Sequence, residues 1–296
     1  MTTLRTTRAA LLAASLTSLL PLVAGCIVID SSHASSTGKQ SAAVITNAAA
    51  AEGARLDVRS TNGRIEVRRD PTLDKVLVEA EIRCAGETQE EADERVKGAK
   101  LVATNEADGT VRVRVDFPPM RSGRDRHPSD GARITVRAAR AGAIDLETSN
   151  GAIEVIGMDG PLHAETGNGA ITVDGHDGPV RLSTSNGAIR ATAVGLPAEL
   201  DTSNGRIEAE FKAGAKGAVT ASTSNGAVQL VLPADWSGTV TARTSNGSVA
   251  MEGGPRVTAT NVERNSGTMT VGPAAEATAR AEAVTSNGAV RVRVGN

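Results

Sequence analysis

Five residues of this chain, Asp159, His163, Asp174, His176 and Asp177, are of types that ligate metals or move protons, and they lie close together in the sequence. Imidazole and carboxylate are suitable ligands for a transition metal. Their spacing matches no closed metal-site motif, however, and the recurrence of Asp159-Gly160-Pro161 as Asp177-Gly178-Pro179 reads as a pair of equivalent turns. In that reading each Asp starts a turn and the two histidines are exposed polar positions. The turn reading is favoured, so neither a metal nor a cofactor is expected. Nucleophile-elbow, Walker, dinucleotide-binding and Gly-Gly-x-Gly-x-Asp calcium signatures are missing from the sequence.

A second set is cationic. Arg112, Arg114, Arg133 and Arg137 fall on outward positions of alternating strands, and neighbouring strands would gather them into one face. Guanidinium groups suit bidentate recognition of carboxylate and phosphate. The face would therefore take an anionic envelope glycan, a lipid headgroup or a partner protein, against the plainer reading of a solvated surface that discourages edge-to-edge aggregation. Two cysteines remain. Cys84 lies on the inward side of an alternating strand and has no partner thiol, which makes it a small core residue. Cys26 follows Val23-Ala24-Gly25 at the end of an apolar run preceded by Arg5 and Arg8. That pattern is an export signal, and its last four residues resemble the lipobox of bacterial lipoproteins, implying acylation of Cys26 and attachment to a membrane.

The elements that position these residues can be read in order. Residues 1–25 form the signal, and residues 26–53, rich in Ser, Ala, Thr and Gly, read as a flexible tether. Residues 54–140 form an N-terminal β region. Its strands include Val76 to Cys84, and its single short helix is opened by Thr88 as N-cap with Glu91 completing a capping box. A hairpin follows from Leu101 to Phe117 across Ala107-Asp108-Gly109. Residues 141–296 form a repeat.

The repeat phrase is Thr-Ser-Asn-Gly, then a small or polar residue, then Ile or Val. Its glycines fall at Gly151, Gly169, Gly187, Gly205, Gly226, Gly247, Gly267 and Gly288, separated successively by 18, 18, 18, 21, 21, 20 and 21 residues. Counting from Asn150, Asn168, Asn186, Asn204, Asn225, Asn246, Ser266 and Asn287, the positions four before, three after and five after are all apolar. Such period-two alternation on both sides of a corner gives two short strands per repeat. An antiparallel meander would satisfy the same pattern. The solenoid is preferred because recurring asparagines can bond along a ladder, because the Asp-Gly-Pro corners repeat at one offset, and because a meander this long would expose a very large sheet. About eight coils at roughly 4.8 Å each would make a stack of about 40 Å. An earlier copy, Val58 to Val67, stands apart from the rest.

These residues carry a family likeness. The phrases Leu146 to Val155 and Leu182 to Ile189, with the early copy at Val58 to Val67, resemble the bacterial envelope proteins called putative adhesins, a β-strand-repeat family of largely unknown function. The likeness spans Leu56 to Val294. It implies a right-handed β-helix-like fold, surface placement and no assigned catalytic residues; with the spacing and the helix read above, the expected fold is an all-β solenoid with about 18–21 residues per coil and one short helix inserted near the N-terminal end. The sequence departs from the family at the position after the Gly. There the family often has Asp, whereas this chain has Ala152, Ala170, Ala188, Arg206, Ala227, Ser248 and Ala289.

Composition narrows the function. The chain has 32 basic and 34 acidic residues, and loss of Arg5 and Arg8 with the signal makes it slightly more acidic, which argues against nucleic-acid binding. Its only aromatic residues are Phe117, Phe211 and Trp236, too few to line a sugar-binding groove of a polysaccharide-active β-helix enzyme. The expectation is a non-catalytic, lipid-anchored scaffold or adhesin-like binding module of the bacterial envelope. An envelope-stress sensor is the alternative, and a polysaccharide-active enzyme a remoter one.

Overall fold

The computed structural model describes residues 34–44, 53–273 and 278–295. Strands β1 (Ala34–Val44), β2 (Arg55–Ser60), β3 (Ile65–Arg69) and β4 (Val76–Gly86) precede helix α1 (Gln89–Gly98). The hairpin β5 (Lys100–Asn105) and β6 (Thr110–Asp116) leads through a long loop to β7 (Gly131–Ala138). The repeats follow as pairs: β8 (Ala143–Thr148) with β9 (Ile153–Ile156), β10 (Leu162–Thr166) with β11 (Ile171–Asp174), and β12 (Val180–Thr184) with β13 (Ile189–Val194). Next come β14 (Ala198–Thr202) with β15 (Ile207–Phe211), β16 (Val219–Asn225) with β17 (Val228–Leu232), and β18 (Gly238–Asn246) with β19 (Val249–Glu252). The hairpin β20 (Val257–Val262) and β21 (Ser266–Val271) precedes the last pair, β22 (Ala279–Asn287) with β23 (Val290–Val294).

One strand of each pair enters a 12-stranded sheet and the other an 11-stranded sheet. Equivalent strands of successive coils pair in parallel and in register, Ile153 against Ile171 against Ile189 and Leu146 against Ala164 against Leu182. The parallel pairing is that of a solenoid and excludes the meander. Inward residues of the two sheets meet in one narrow core of Val, Ile, Leu and Ala, in which Leu56, Ile65, Ile153, Ile171 and Leu182 are almost fully buried. Side chains of this size suffice because the two sheets close on each other at every corner.

The stacking order differs from chain order at both ends. The early coil of β2 and β3 is joined to the stack, lying between the β6/β7 coil and the β8/β9 coil. The last coil, β22 and β23, inserts between β16/β17 and β18/β19. This makes nine coils. The Ser266 phrase forms no corner, because β21 runs antiparallel to β18 and β20 straight through Gly267. Val262, placed inward by the repeat pattern, is exposed for the same reason.

Within the segment read as a tether, Ala34–Val44 pairs antiparallel with β4 along its whole length. An edge strand gains its bonds from the backbone and needs no apolar face, so its Ser- and Thr-rich sequence hides it. Residues 1–33, including Cys26 and the proposed signal, and residues 45–52 lie outside the described residues.

Helix α1 caps the N-terminal end of the core. Thr88 accepts from the Glu91 N–H at 3.2 Å, while the Glu91 carboxylate reaches back to the Glu87 N–H at 2.8 Å and across to the Arg121 N–H at 2.8 Å. Beneath it the buried Arg95 and Asp130 form an ion pair at 2.6 Å. Their other polar atoms are bonded as well: Arg95 to the Ala85 and Pro118 carbonyls, and Asp130 to the Ala85 and His127 N–H groups. Burying such a pair is tolerable only with this many partners. Cys84 lies beside it in the core, and burial, helped by Asp130, pushes its thiol up to about 11, so it stays protonated and inert.

Candidate functional site

The repeated Thr-Ser-Asn-Gly is a structural device built in two layers. Each Asn side-chain amide donates to the carbonyl oxygen of the Asn one coil along, from Asn150 to Asn62 at 2.6 Å, then through Asn168, Asn186, Asn204 and Asn225 to Asn287 and Asn246, the last step at 3.0 Å. Asn62 ends the row by donating to the Pro128 and Asp130 carbonyls. This row is exposed to solvent. Inside it runs a buried row of threonines, which the sequence had shown as a constant residue without its role. Thr184 Oγ1 donates to the Gly169 carbonyl at 2.9 Å and accepts from the Gly187 N–H at 3.2 Å. Thr166, Thr202, Thr223, Thr244 and Thr285 donate in the same way to the glycine carbonyl of the adjacent coil. The glycines are required by close approach. A Cβ on Gly169, Gly187 or Gly205 would lie well under 3.0 Å from the carbonyl oxygen of the stacked glycine.

The acid and imidazole cluster is dispersed. His163 stands on the outer face of the 12-stranded sheet, its Nδ1 2.9 Å from Asp145. His176 is fully buried, contrary to its expected exposure, because its corner position faces the core, as Met158 does one coil earlier. Its Nε2 meets the Gly160 carbonyl at 2.7 Å and its Nδ1 has no partner, while burial lowers its pKa. The backbones of Asp159 and Asp177 pair in parallel across neighbouring corners, and the Asp177 carboxylate pairs with Lys212. Among the described residues no three His, Cys, Asp or Glu side chains are placed to hold a metal.

The four arginines are not brought together. Arg112 and Arg114 are on β6 in the 12-stranded sheet, whereas Arg133 and Arg137 are on β7 in the 11-stranded sheet, so the pairs face opposite sides of the solenoid. Three of them are engaged with carboxylates: Arg112 with Asp57 at 3.3 Å, Arg114 with Asp116 at 2.9 Å, and Arg137 with Asp70 and Glu79 at 3.9 Å. Arg133 lies opposite Glu81 in the register of β4 and β7. Alternation fixes that a residue points outward. It does not say from which sheet.

What the outer surface does offer is an axial groove of about 600 Å³ where the second corner meets the 12-stranded sheet. It is lined by a row of one residue per coil, Ala143, Pro161, Pro179, Pro197 and Ala218, spanning about 19 Å at the usual strand spacing. Arg55, Asp145, His163, Arg181 and Glu199 line it as well. Burial alone would raise the Asp145 carboxyl, but its bonds from Arg55 and His163 hold it below the usual range. Arg181 and Glu199 bridge adjacent coils at 3.3 Å. The prolines suit this row because each immediately precedes a strand, where its missing N–H costs no ladder bond.

A family model described as Toastrack DUF4097 matches residues 100–293. Among solved structures, the chain is similar at 10% identity to a putative cell adhesion protein from Clostridium sporogenes, with 88% of this chain and 100% of that chain covered and a TM-score of 0.33. A putative adhesin from Bacteroides fragilis matches at 10% identity over 88% of this chain and 97% of that chain, TM-score 0.42. A lipid binding protein from Parabacteroides distasonis, likewise described as putative, matches at 10% identity over 88% and 97%, TM-score 0.37. No curated protein matches the chain.

Proposed function

The chain belongs to the Toastrack DUF4097 family, and from that premise we propose that it is a non-catalytic lipoprotein of the bacterial cell envelope, a scaffold or adhesin-like module that engages another envelope component along its solenoid. The supporting observation is the axial groove: one residue per coil lines it in a row, and its charged residues stand on coils already tied together by their own ladder. The repeated polar chemistry, Asn to Asn on the surface and Thr to Gly beneath it, is spent on bonds between coils. Recognition is then left to side chains that vary from coil to coil, and those line the groove. Acyl chains on Cys26 would hold the module at the membrane surface, with an anionic glycan, a lipid headgroup or a partner protein as the component bound.

The test is co-sedimentation of the purified mature chain with envelope material, using a groove-filling variant, Ala218→Trp, and a matched variant on the opposite sheet, Thr172→Trp. Binding lost by the first and kept by the second supports the reading. Equal behaviour of the two variants overturns the groove assignment, and turnover of envelope glycan by the purified chain restores the enzymatic alternative.

A further inference from the structure

The outer face of the 11-stranded sheet carries a hollow of about 380 Å³ at its N-terminal end, where β1, β4, β7 and β3 lie side by side. In its middle is Gly131, opposite Arg83 in the register of β4 and β7. That glycine is fixed by packing, since a Cβ there would lie 2.4 Å from the Asn62 carbonyl oxygen. No side chain therefore fills the space between Arg83, Arg133 and Arg64, all of which line it. Its size falls in the range of small-ligand sites, roughly 300 to 1,000 Å³.

The polar groups of this lining differ in the bonds left to them. Asn62 is spent, accepting from Asn150 and donating to the Pro128 and Asp130 carbonyls. Arg64 is held by Glu154 and lies 3.8 Å from Glu66. Arg83 gives one N–H to the Ser129 carbonyl at 3.3 Å and meets no carboxylate, and among the described residues Arg133 has no bonded partner. Glu81 stands between Arg133 on β7 and Lys39 on β1 in the register and is ion-paired to neither. Elsewhere on this face such opposites do pair, Arg190 with Glu208 and Arg68 with Glu66. The hollow thus presents two guanidinium groups and one carboxylate, each with bonds still to make.

We infer that this hollow receives the phosphoethanolamine headgroup of a bilayer lipid. An anion alone would lie against Glu81 and a cation alone against the arginines, whereas this zwitterion satisfies both: its phosphate oxygens accept from Arg83 and Arg133, and its ammonium donates to Glu81. The route of the chain favours a bilayer as the source. Thr37 of β1 lines the hollow, and residues 27–33 separate Cys26 from the start of β1 at Ala34, a reach of at most about 30 Å when fully extended. Acyl chains on Cys26 would hold the N-terminal end of the stack near the headgroups. The inference rests on the envelope reading for its bilayer alone: detergent partitioning of the acylated chain tests the anchor, and vesicle binding of the unacylated chain tests the hollow, so either can fail without the other.

The mature chain carrying Cys26→Ser is sedimented with vesicles of phosphatidylcholine, alone or mixed with phosphatidylethanolamine or with phosphatidylglycerol. The choline group has no N–H to give Glu81, and the glycerol headgroup has no cation. Phosphatidylethanolamine is therefore expected to raise the partition coefficient about tenfold over either, the factor that accompanies one charge-assisted hydrogen bond. Glu81→Gln should erase the difference between ethanolamine and choline vesicles, and Arg83→Gln or Arg133→Gln should lower binding to ethanolamine vesicles about tenfold. Arg291→Gln, which removes another exposed arginine from the same sheet at its far end, should leave binding unchanged. Equal partition into all three vesicles, a preference for phosphatidylglycerol, or a loss with Arg291→Gln as large as that with Arg133→Gln would each overturn the assignment.

Discussion

The two layers of the corner differ in what surrounds them, and that sets what each contributes. Thr184 is buried, and Thr184→Val removes both the donor to the Gly169 carbonyl at 2.9 Å and the acceptor for the Gly187 N–H at 3.2 Å. Leaving a buried polar group unmatched costs about 1 to 3 kcal/mol, so two such groups, partly offset by the apolar methyl, should cost about 2 to 4 kcal/mol. Asn186 makes two ladder bonds, donating to Asn168 at 2.8 Å and accepting from Asn204 at 2.9 Å, but it is exposed. Water replaces both partners after Asn186→Ala, and the cost falls to about 1 kcal/mol. Amide hydrogen exchange is the suitable assay, because a stack of repeats can open locally and a single melting midpoint would average over its coils. Thr184→Val should accelerate exchange most in β12 and the strands paired with it, β10 and β14. If Asn186→Ala destabilises these strands as much as Thr184→Val, the buried row is not what holds the corner and the reasoning fails.

Other consequences are equally direct. Burial holds the His176 pKa below its unfolded value, so the unfolded chain takes up a proton first; stability is lost as pH falls below about 6.5, and His176→Met, which copies Met158, should abolish that loss in urea unfolding compared at pH 5 and pH 8. Asp159, Asp177 and Lys212, the charged groups around that corner, are untouched by the substitution. Asp130→Ala leaves the buried Arg95 without its counter-ion and should destabilise the N-terminal cap by about 3 to 5 kcal/mol, read as faster exchange in α1 and the end of β4. Gly187→Ala forces a Cβ onto the Gly169 carbonyl oxygen and should cost about 1 to 3 kcal/mol or more, whereas Gly109→Ala, where a Cβ meets nothing, should show only the strain of its positive φ in the same unfolding measurement. Cys26→Ser should move the protein from the detergent to the aqueous phase of a phase-separation assay, and an unchanged distribution with no acyl mass would remove the lipoprotein assignment.

The apolar code was legible along the stack, with Val262 as its exception, and its geometry only partly so. Leu146, Ile153 and Val155 are buried as the alternation requires, and the helix opened by Thr88 begins where its cap places it. Met269 and Val271 obey the same alternation and are buried too, yet they sit on an antiparallel strand, because period two is common to both kinds of pairing. His176 looked polar and exposed until compared with its coil equivalents: Met158 before it and Val194 after it are both buried apolar residues. That comparison was available in the sequence. The split of Arg112 and Arg114 from Arg133 and Arg137 was not, since the long loop from Phe117 to Asp130 carries the chain from one sheet to the other without any change in pattern.

Stacking order was hidden for a deeper reason, which also bears on stability. Asn225, Asn246 and Asn287 open identical corners, and any one of them can bond to any other, so no local preference orders them. The order is set instead by what the flanking segments can cover. With β22 drawn inward, the hairpin of β20 and β21 is left to extend the 12-stranded sheet beyond β18, and Met269 and Val271 close the end of the core. At the opposite end β2 and β3 are likewise drawn inward, leaving β5, β1 and β4 with α1 to close that end. The first and last coils of the described chain are thus held on both sides by parallel neighbours, while hairpins and a helix take the exposed positions. A solenoid needs caps that differ from its repeats, because a bare terminal coil offers open strand edges and an uncovered core. Here the C-terminal cap is cut from between two coils of the sequence, and so are β4, α1 and β5 of the other cap, to which β1 adds the edge strand. Each terminal coil joins segments distant in the chain, so losing either one would open the stack from within as well as at its end.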